Sequence, residues 1–126
     1  MKLRNMTSIY LLCGDEMLLL YRRGSRVANN TYISSAGGHF EPEELNDPRA
    51  CVLRELHEEL GLTEDDLDSL TLRYIVLRNA NGEVRQNYFF FAELKKGAEE
   101  YDQALKSHEN GFHGAELPGC ISRKVF

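Results

Sequence analysis

The sequence predicts an α+β domain built on a mixed β-sheet with one well-marked helix. Three observations carry that prediction. Apolar, β-branched runs recur at Thr7 to Cys13, Met17 to Tyr21, Leu70 to Arg78 and Glu83 to Leu94. Asn81-Gly82 joins the last two, and this dipeptide favours a two-residue hairpin turn. Between the two groups of strands lies Pro48 to Leu60, flanked by a helix-start and a helix-stop signal.

The bulk numbers narrow the class. At 126 residues, 42% of them hydrophobic, the chain has material for a single domain, 1–126, with one core. No apolar tract approaches the roughly 18 residues of a membrane span, and no membrane partner is expected. Lys2 and Arg4 precede an apolar run that Gly14-Asp15-Glu16 breaks, and no small-residue cleavage site follows, so no signal peptide is expected. Cys13, Cys51 and Cys120 are odd in number and lack metal-ligand spacing. They read as reduced thiols of a cytoplasmic protein. The net charge of −5 argues against a nucleic-acid polymer as partner. A phosphorylated small molecule stays open, because a metal ion can bridge an acidic site and a phosphate.

In chain order, Gly14-Asp15 turns the first two apolar runs into a hairpin. Arg22, Arg23 and Arg26 follow, either a solvated loop or an edge that contacts phosphate, for which arginine is suited. Tyr32 to Ser34 is a short strand after the Asn29-Asn30 loop. Gly37-Gly38 permits a backbone approach that side chains would block. It is neither a dinucleotide fingerprint, which needs a third glycine, nor a phosphate loop, which needs Gly-Lys-Ser/Thr. Asp47 suits the N-cap and Pro48 the first helical position, so the helix runs from Pro48 to about Leu60 and stops at Gly61. Thr63 to Asp68 is an acidic connection. The Tyr88-Phe89-Phe90-Phe91 run is expected in the core. Ser107 to Phe126, broken by Gly111, Gly114, Pro118 and Gly119, is expected to be irregular.

The helix has two faces. At about 100° per residue, Glu55, Glu58 and Glu59 share an arc of roughly 100°, while Val52, Leu53, Leu56 and Leu60 share another. Like charges at i,i+4 repel by a few tenths of a kcal/mol, and Arg54 alone is offered in compensation. A solvated acidic face is one reading. A bound hard divalent cation such as Mg²⁺, which prefers oxygen ligands, is the other. His57-Glu58 begins a zinc-protease pattern, but Gly61 stands where the second histidine would be. Cys51 has no base partner in the sequence and reads as a small packing residue.

Taken together, Gly38, five residues, Glu44, and then Arg54-Glu55-Leu56-x-Glu58-Glu59-x-Gly61-Leu62 resemble the signature of the Nudix hydrolases, the MutT-like pyrophosphohydrolases. That pattern is Gly-x5-Glu-x7-Arg-Glu-φ-x-Glu-Glu-x-Gly-φ, with φ apolar. Its second half is matched in full. Three departures stand out. Nine residues, not seven, separate Glu44 from Arg54, which leaves open whether Glu44 reaches Arg54. Ala36 stands where many members have proline. After Ser107-His108-Glu109-Asn110-Gly111 the likeness is lost, so the tail 107–126 looks truncated or altered.

The resemblance implies an α-β-α sandwich with the loop-helix of the signature, its final helix missing. An under-covered sheet face would then invite a homodimer. It implies divalent-metal-dependent hydrolysis of a diphosphate bond in a nucleoside diphosphate derivative, with a nucleoside triphosphate, normal or oxidised, as one form of substrate. Mg²⁺ is the implied cofactor, with Mn²⁺ as substitute. Glu58 and Glu59 would be metal ligands, Glu55 a ligand or the general base, and Arg54 the residue that orients them. A backbone carbonyl near Gly37 or Gly38 would add a ligand, and Glu109 a downstream one. Arg22 and Arg23 match substrate-contacting positions, as does Gly38. The alternative is a catalytically weak nucleotide-binding module of the same fold.

Overall fold

A computed structural model describes residues 1–22, 31–95 and 120–121, with backbone alone for 20–22, 31–33 and 120–121. Its sheet is mixed, as expected. The long first strand β1 spans Lys2–Cys13 and pairs antiparallel with β2, Glu16–Leu18. Two long strands, β6 (Leu67–Ala80) and β7 (Glu83–Leu94), form a hairpin around Asn81 and Gly82, both at positive φ. β7 lies parallel to β1, and β6 forms the sheet's outer edge among the described residues. At the other end Cys120–Ile121, β8, pairs with β2, so part of the stretch expected to be irregular is a strand. The rest of 107–126 lies outside the described residues.

One strand expectation needs correction. The Met17 to Tyr21 run is split: β2 ends at Leu18, and Leu20–Arg22 forms β3, which pairs with β4, Thr31–Ile33, in a separate two-stranded sheet. The glycine pair lies inside a strand, β5, Ala36–His39, paired antiparallel with Met6 to Ile9 of β1. Close packing explains the glycines. A Cβ on Gly37 would run into the Thr7 carbonyl oxygen, and one on Gly38 into the Glu55 carboxylate.

The helix, α1, is Pro48–Leu60, with the caps read from the sequence. Asp47 accepts from the Ala50 N–H at 3.0 Å, and Gly61 ends the helix in the left-handed region. Its buried side chains, Cys51, Val52, Leu56 and Leu60, face one side of the sheet. Alternation along the strands supplies the other half of the core: Ile9 and Leu11 of β1, Phe90, Ala92 and Leu94 of β7. The same alternation corrects the aromatic run. Phe90 is buried, whereas Tyr88, Phe89 and Phe91 are half-buried. Phe89 and Phe91 stack instead with Tyr10 and Tyr74 on the sheet face away from α1.

Candidate active site

The site forms where α1 meets β5. Its first fixed point is a tight turn, Pro42–Glu44, in which the Glu41 N–H donates to Glu44 Oε1 at 2.9 Å. The Asp47 N–H then donates to the Glu44 carbonyl at 2.8 Å, folding the extra residues after Glu44 into a second turn with Leu45 pushed outward. Glu44 is thereby turned inward, at 6% exposure. It reaches Arg54 after all: Arg54 Nε donates to Glu44 Oε2 at 2.8 Å and Nη2 to Oε1 at 2.9 Å, a bidentate pair.

The guanidinium uses its remaining edges as well. Nη2 donates to the His39 carbonyl at 3.0 Å, at the end of β5. Nη1 donates at 3.0 Å to both Glu55 Oε1 and Glu58 Oε2. One cation therefore stands among the carboxylates of Glu44, Glu55 and Glu58. Glu59 lies one helical turn beyond Glu55, where the two carboxyl groups interact.

The electrostatics differ within this group. The hydrogen bond from Arg54 holds the Glu44 carboxyl below its ordinary range, despite burial. Arg54 is pushed further above its usual value, chiefly by its bond to Glu44. Glu55 goes the other way. Burial raises it, and the nearby Glu58 charge adds to that, against the bonds from Glu59 and Arg54. The Cys51 thiol is pushed up to about 11 by burial, which leaves it a poor nucleophile.

An oxygen-only donor set with a surplus of carboxylates suits a hard divalent cation. The missing side chain at Gly38 keeps the backbone close to Glu55, so that chain and carboxylate face one another without an intervening group. Among the described residues, no three His, Cys, Asp or Glu side chains converge into a ready-made cage. Arg54 Nη1 stands between Glu55 and Glu58, and a shared cation would have to draw both carboxylates off it.

Of the residues singled out in the sequence, Gly38, Arg54, Glu55, Glu58 and Glu59 come together here, and Glu44 joins them. His57 and His39 are exposed. Arg22 ends β3, with its side chain outside the description. Arg23 and Glu109 lie outside the described residues. Sequence reasoning missed the His39 carbonyl as an Arg54 partner and the contact of Cys51 with Thr7, 3.4 Å from Sγ to Oγ1. No linear pattern signals either, because one depends on how α1 sits against β5 and the other on how it sits against β1.

Known proteins agree with this architecture. The model of the NUDIX domain matches residues 2–117. No curated protein sequence matches the chain closely enough to count as a relative. Among solved structures, a MutT NUDIX hydrolase from Burkholderia pseudomallei is similar at 24% identity and TM-score 0.61, covering 77% of this chain and 71% of its own. A NUDIX hydrolase from Nitrosomonas europaea has TM-score 0.67 at 19% identity, covering 96% and 73%. An Ap4A hydrolase from C. elegans has TM-score 0.57 at 20% identity, covering 86% and 91%. At these identities the structures speak for the fold.

Proposed function

This chain belongs to the NUDIX family, as a Nudix hydrolase, and from that premise we propose that it cleaves a diphosphate bond in a nucleotide with the help of Mg²⁺. Hydrolysis of nucleoside diphosphate derivatives is the general reaction; the finer reading is a nucleoside triphosphate, normal or oxidised, with Mn²⁺ able to replace Mg²⁺. One observation carries it: Glu44, Glu55 and Glu58 crowd around a single guanidinium, with Glu59 one helical turn beyond Glu55, against a glycine that leaves the backbone open.

When bound, a divalent cation screens phosphate charge and polarises the bond to be broken. In this reading Glu58 and Glu59 would hold it, with a carbonyl near Gly37 or Gly38. Glu55 is either a third ligand or the general base. Its raised carboxyl suits a base, since a proton acceptor works best with a value nearer the operating pH. Arg54, anchored on Glu44, holds Glu55 and Glu58 at fixed spacing. Arg22 and Arg23 would contact the phosphates or base, and Glu109 would add a downstream carboxylate; these three assignments rest on the resemblance alone.

The test is a panel of nucleoside triphosphates, oxidised nucleoside triphosphates and Ap4A with Mg²⁺, followed by phosphate and pyrophosphate release. Turnover of a panel member is expected. A folded sample that binds Mg²⁺ and turns over none of them would instead favour a catalytically weak nucleotide-binding module. The wedge of Arg54 Nη1 between Glu55 and Glu58 is the observation that favours this second reading.

Three further expectations belong to the proposal. The first is one domain over 1–126. The second is a cytoplasmic setting, supported by the free thiols Cys13 and Cys51. No helix among the described residues is long and apolar enough to cross a membrane. The third is a homodimer, supported by the edge position of β6, where Leu72, Tyr74, Ile75, Val76 and Leu77 are 41–64% exposed. Light scattering on the eluting protein distinguishes a dimer from a monomer.

A further inference from the structure

Beneath the Arg54 clamp lie two side chains that the scheme above does not use, Thr7 of β1 and Cys51 of α1. Their exposures are 1% and 0%. Thr7 Oγ1 and Cys51 Sγ are hydrogen-bonded at 3.4 Å. The thiol reaches the His39 carbonyl at 3.8 Å, and Arg54 Nη2 reaches Sγ at 3.9 Å. That same Nη2 donates to the His39 carbonyl at 3.0 Å. Cys51 also helps lower the Glu44 carboxyl through a hydrogen bond. Across the strands, Thr7 pairs with Gly38, the residue whose backbone lies against Glu55.

One buried contact thus meets every element that places the clamp: β1, the last carbonyl of β5, the Glu44 turn and α1. Sulfur suits the position. It is large enough to fill the gap, and it can donate to a carbonyl or carboxylate while accepting from a hydroxyl or a guanidinium. Packing alone would need only the volume. The convergence of polar contacts on Arg54 Nη2 is what packing leaves unexplained.

We infer that Thr7 and Cys51 are positioning residues, which fix the Nη2 edge of Arg54 and, through its opposite Nη1 edge, the spacing of Glu55 and Glu58. The inference rests on the hydrolase reading for its activity readouts, and on the described contacts alone for its structural one.

The test compares Thr7→Val, Cys51→Ala and Cys51→Ser with the unaltered chain. The first readout is protection of the Arg54 side-chain Nε–H signal from water exchange, followed by ¹⁵N NMR without metal or nucleotide. The second is Mg²⁺ affinity by calorimetry, and the third is kcat and KM separately. Thr7→Val and Cys51→Ala are expected to lose protection of Nε–H and to weaken Mg²⁺ binding about tenfold, the usual cost of losing a group that orients a ligand. They are expected to lower kcat and leave the nucleotide KM in place, while Cys51→Ser restores most of all three. Unchanged protection in both variants, with only a lower melting temperature, overturns the inference and leaves a packing role. If the unaltered chain neither binds Mg²⁺ nor turns over a nucleotide, the hydrolase reading fails, and the NMR comparison still decides this one.

Discussion

The α1–β5 corner and the β6 edge are opposites within one sheet. In the corner, polar side chains are held by several partners each, and glycine removes the space that a Cβ would take. At the edge, the 14-residue strand β6 pairs on one side only among the described residues, and Tyr74 to Leu77 show apolar side chains to water on both faces. The corner concentrates charge on a fixed frame. The edge leaves apolar side chains exposed to water. The lesson is that apolar content alone does not locate the core: Leu77 is 64% exposed, whereas Glu44 is 6% exposed. Backbone pairing and one arginine decide which side chains are enclosed.

The largest expected effect comes from removing that arginine. Arg54→Met leaves the buried Glu44 carboxylate without its partner and should cost about 3 kcal/mol, as for other broken buried ion pairs. Nucleotide turnover should fall by about ten- to a hundredfold, because Glu55 and Glu58 lose their common holder. Chemical denaturation and a turnover assay read the two effects. An arginine variant of near-normal stability and rate would put the corner on the same footing as the edge.

Next in size is the apolar support of the corner. Leu56→Ala, at a fully buried position under the carboxylate face, should cost about 3 kcal/mol from lost burial and a cavity. Denaturant midpoints measure it directly.

The carboxylates give a smaller, pH-dependent contrast. Glu44 is lowered by its bond from Arg54, so its contribution to stability is present above its unfolded value and is lost as pH falls through its lower folded value. Glu55 is raised, first by burial, so it costs stability as pH climbs from the unfolded value near 4.5 through its folded one. Glu55→Gln should therefore raise the melting temperature of the metal-free protein at neutral pH, and that gain should shrink at pH below 4.5. A gain that persists in acid would mean that packing, not charge, separates the two side chains.

The smallest effect belongs to the edge. Leu77→Ala should change monomer stability by less than about 0.5 kcal/mol, as at other exposed sites. If the protein is a dimer through β6, the same variant should instead make melting depend on concentration more strongly.

Much of this contrast can be read in the sequence, for identifiable reasons. Asp47, Pro48 and Gly61 are local signals, and they place the helix at Pro48–Leu60 as observed. The Asn81-Gly82 turn is local too. The reach of Glu44 is not, since two more residues can extend a loop or be folded into a turn, and here the Asp47 N–H closes that turn. The glycine pair hides its strand because glycines carry no side-chain alternation, so only pairing with β1 reveals β5. The aromatic run misleads in the opposite way. Its uniform apolarity conceals that alternate rings face opposite sides of the sheet, with Phe90 inward and Phe89 and Phe91 against Tyr10.

The central claim is that the corner's surplus of carboxylate is a divalent-cation site. Thermal melting of the unaltered chain and of Glu58→Gln, each titrated with Mg²⁺, tests it most directly. A saturable rise is predicted for the unaltered chain, worth about 2.7 kcal/mol when Mg²⁺ stands about a hundredfold above its Kd, and mostly lost in the variant. No rise in the unaltered chain, or the same rise in both, would contradict it.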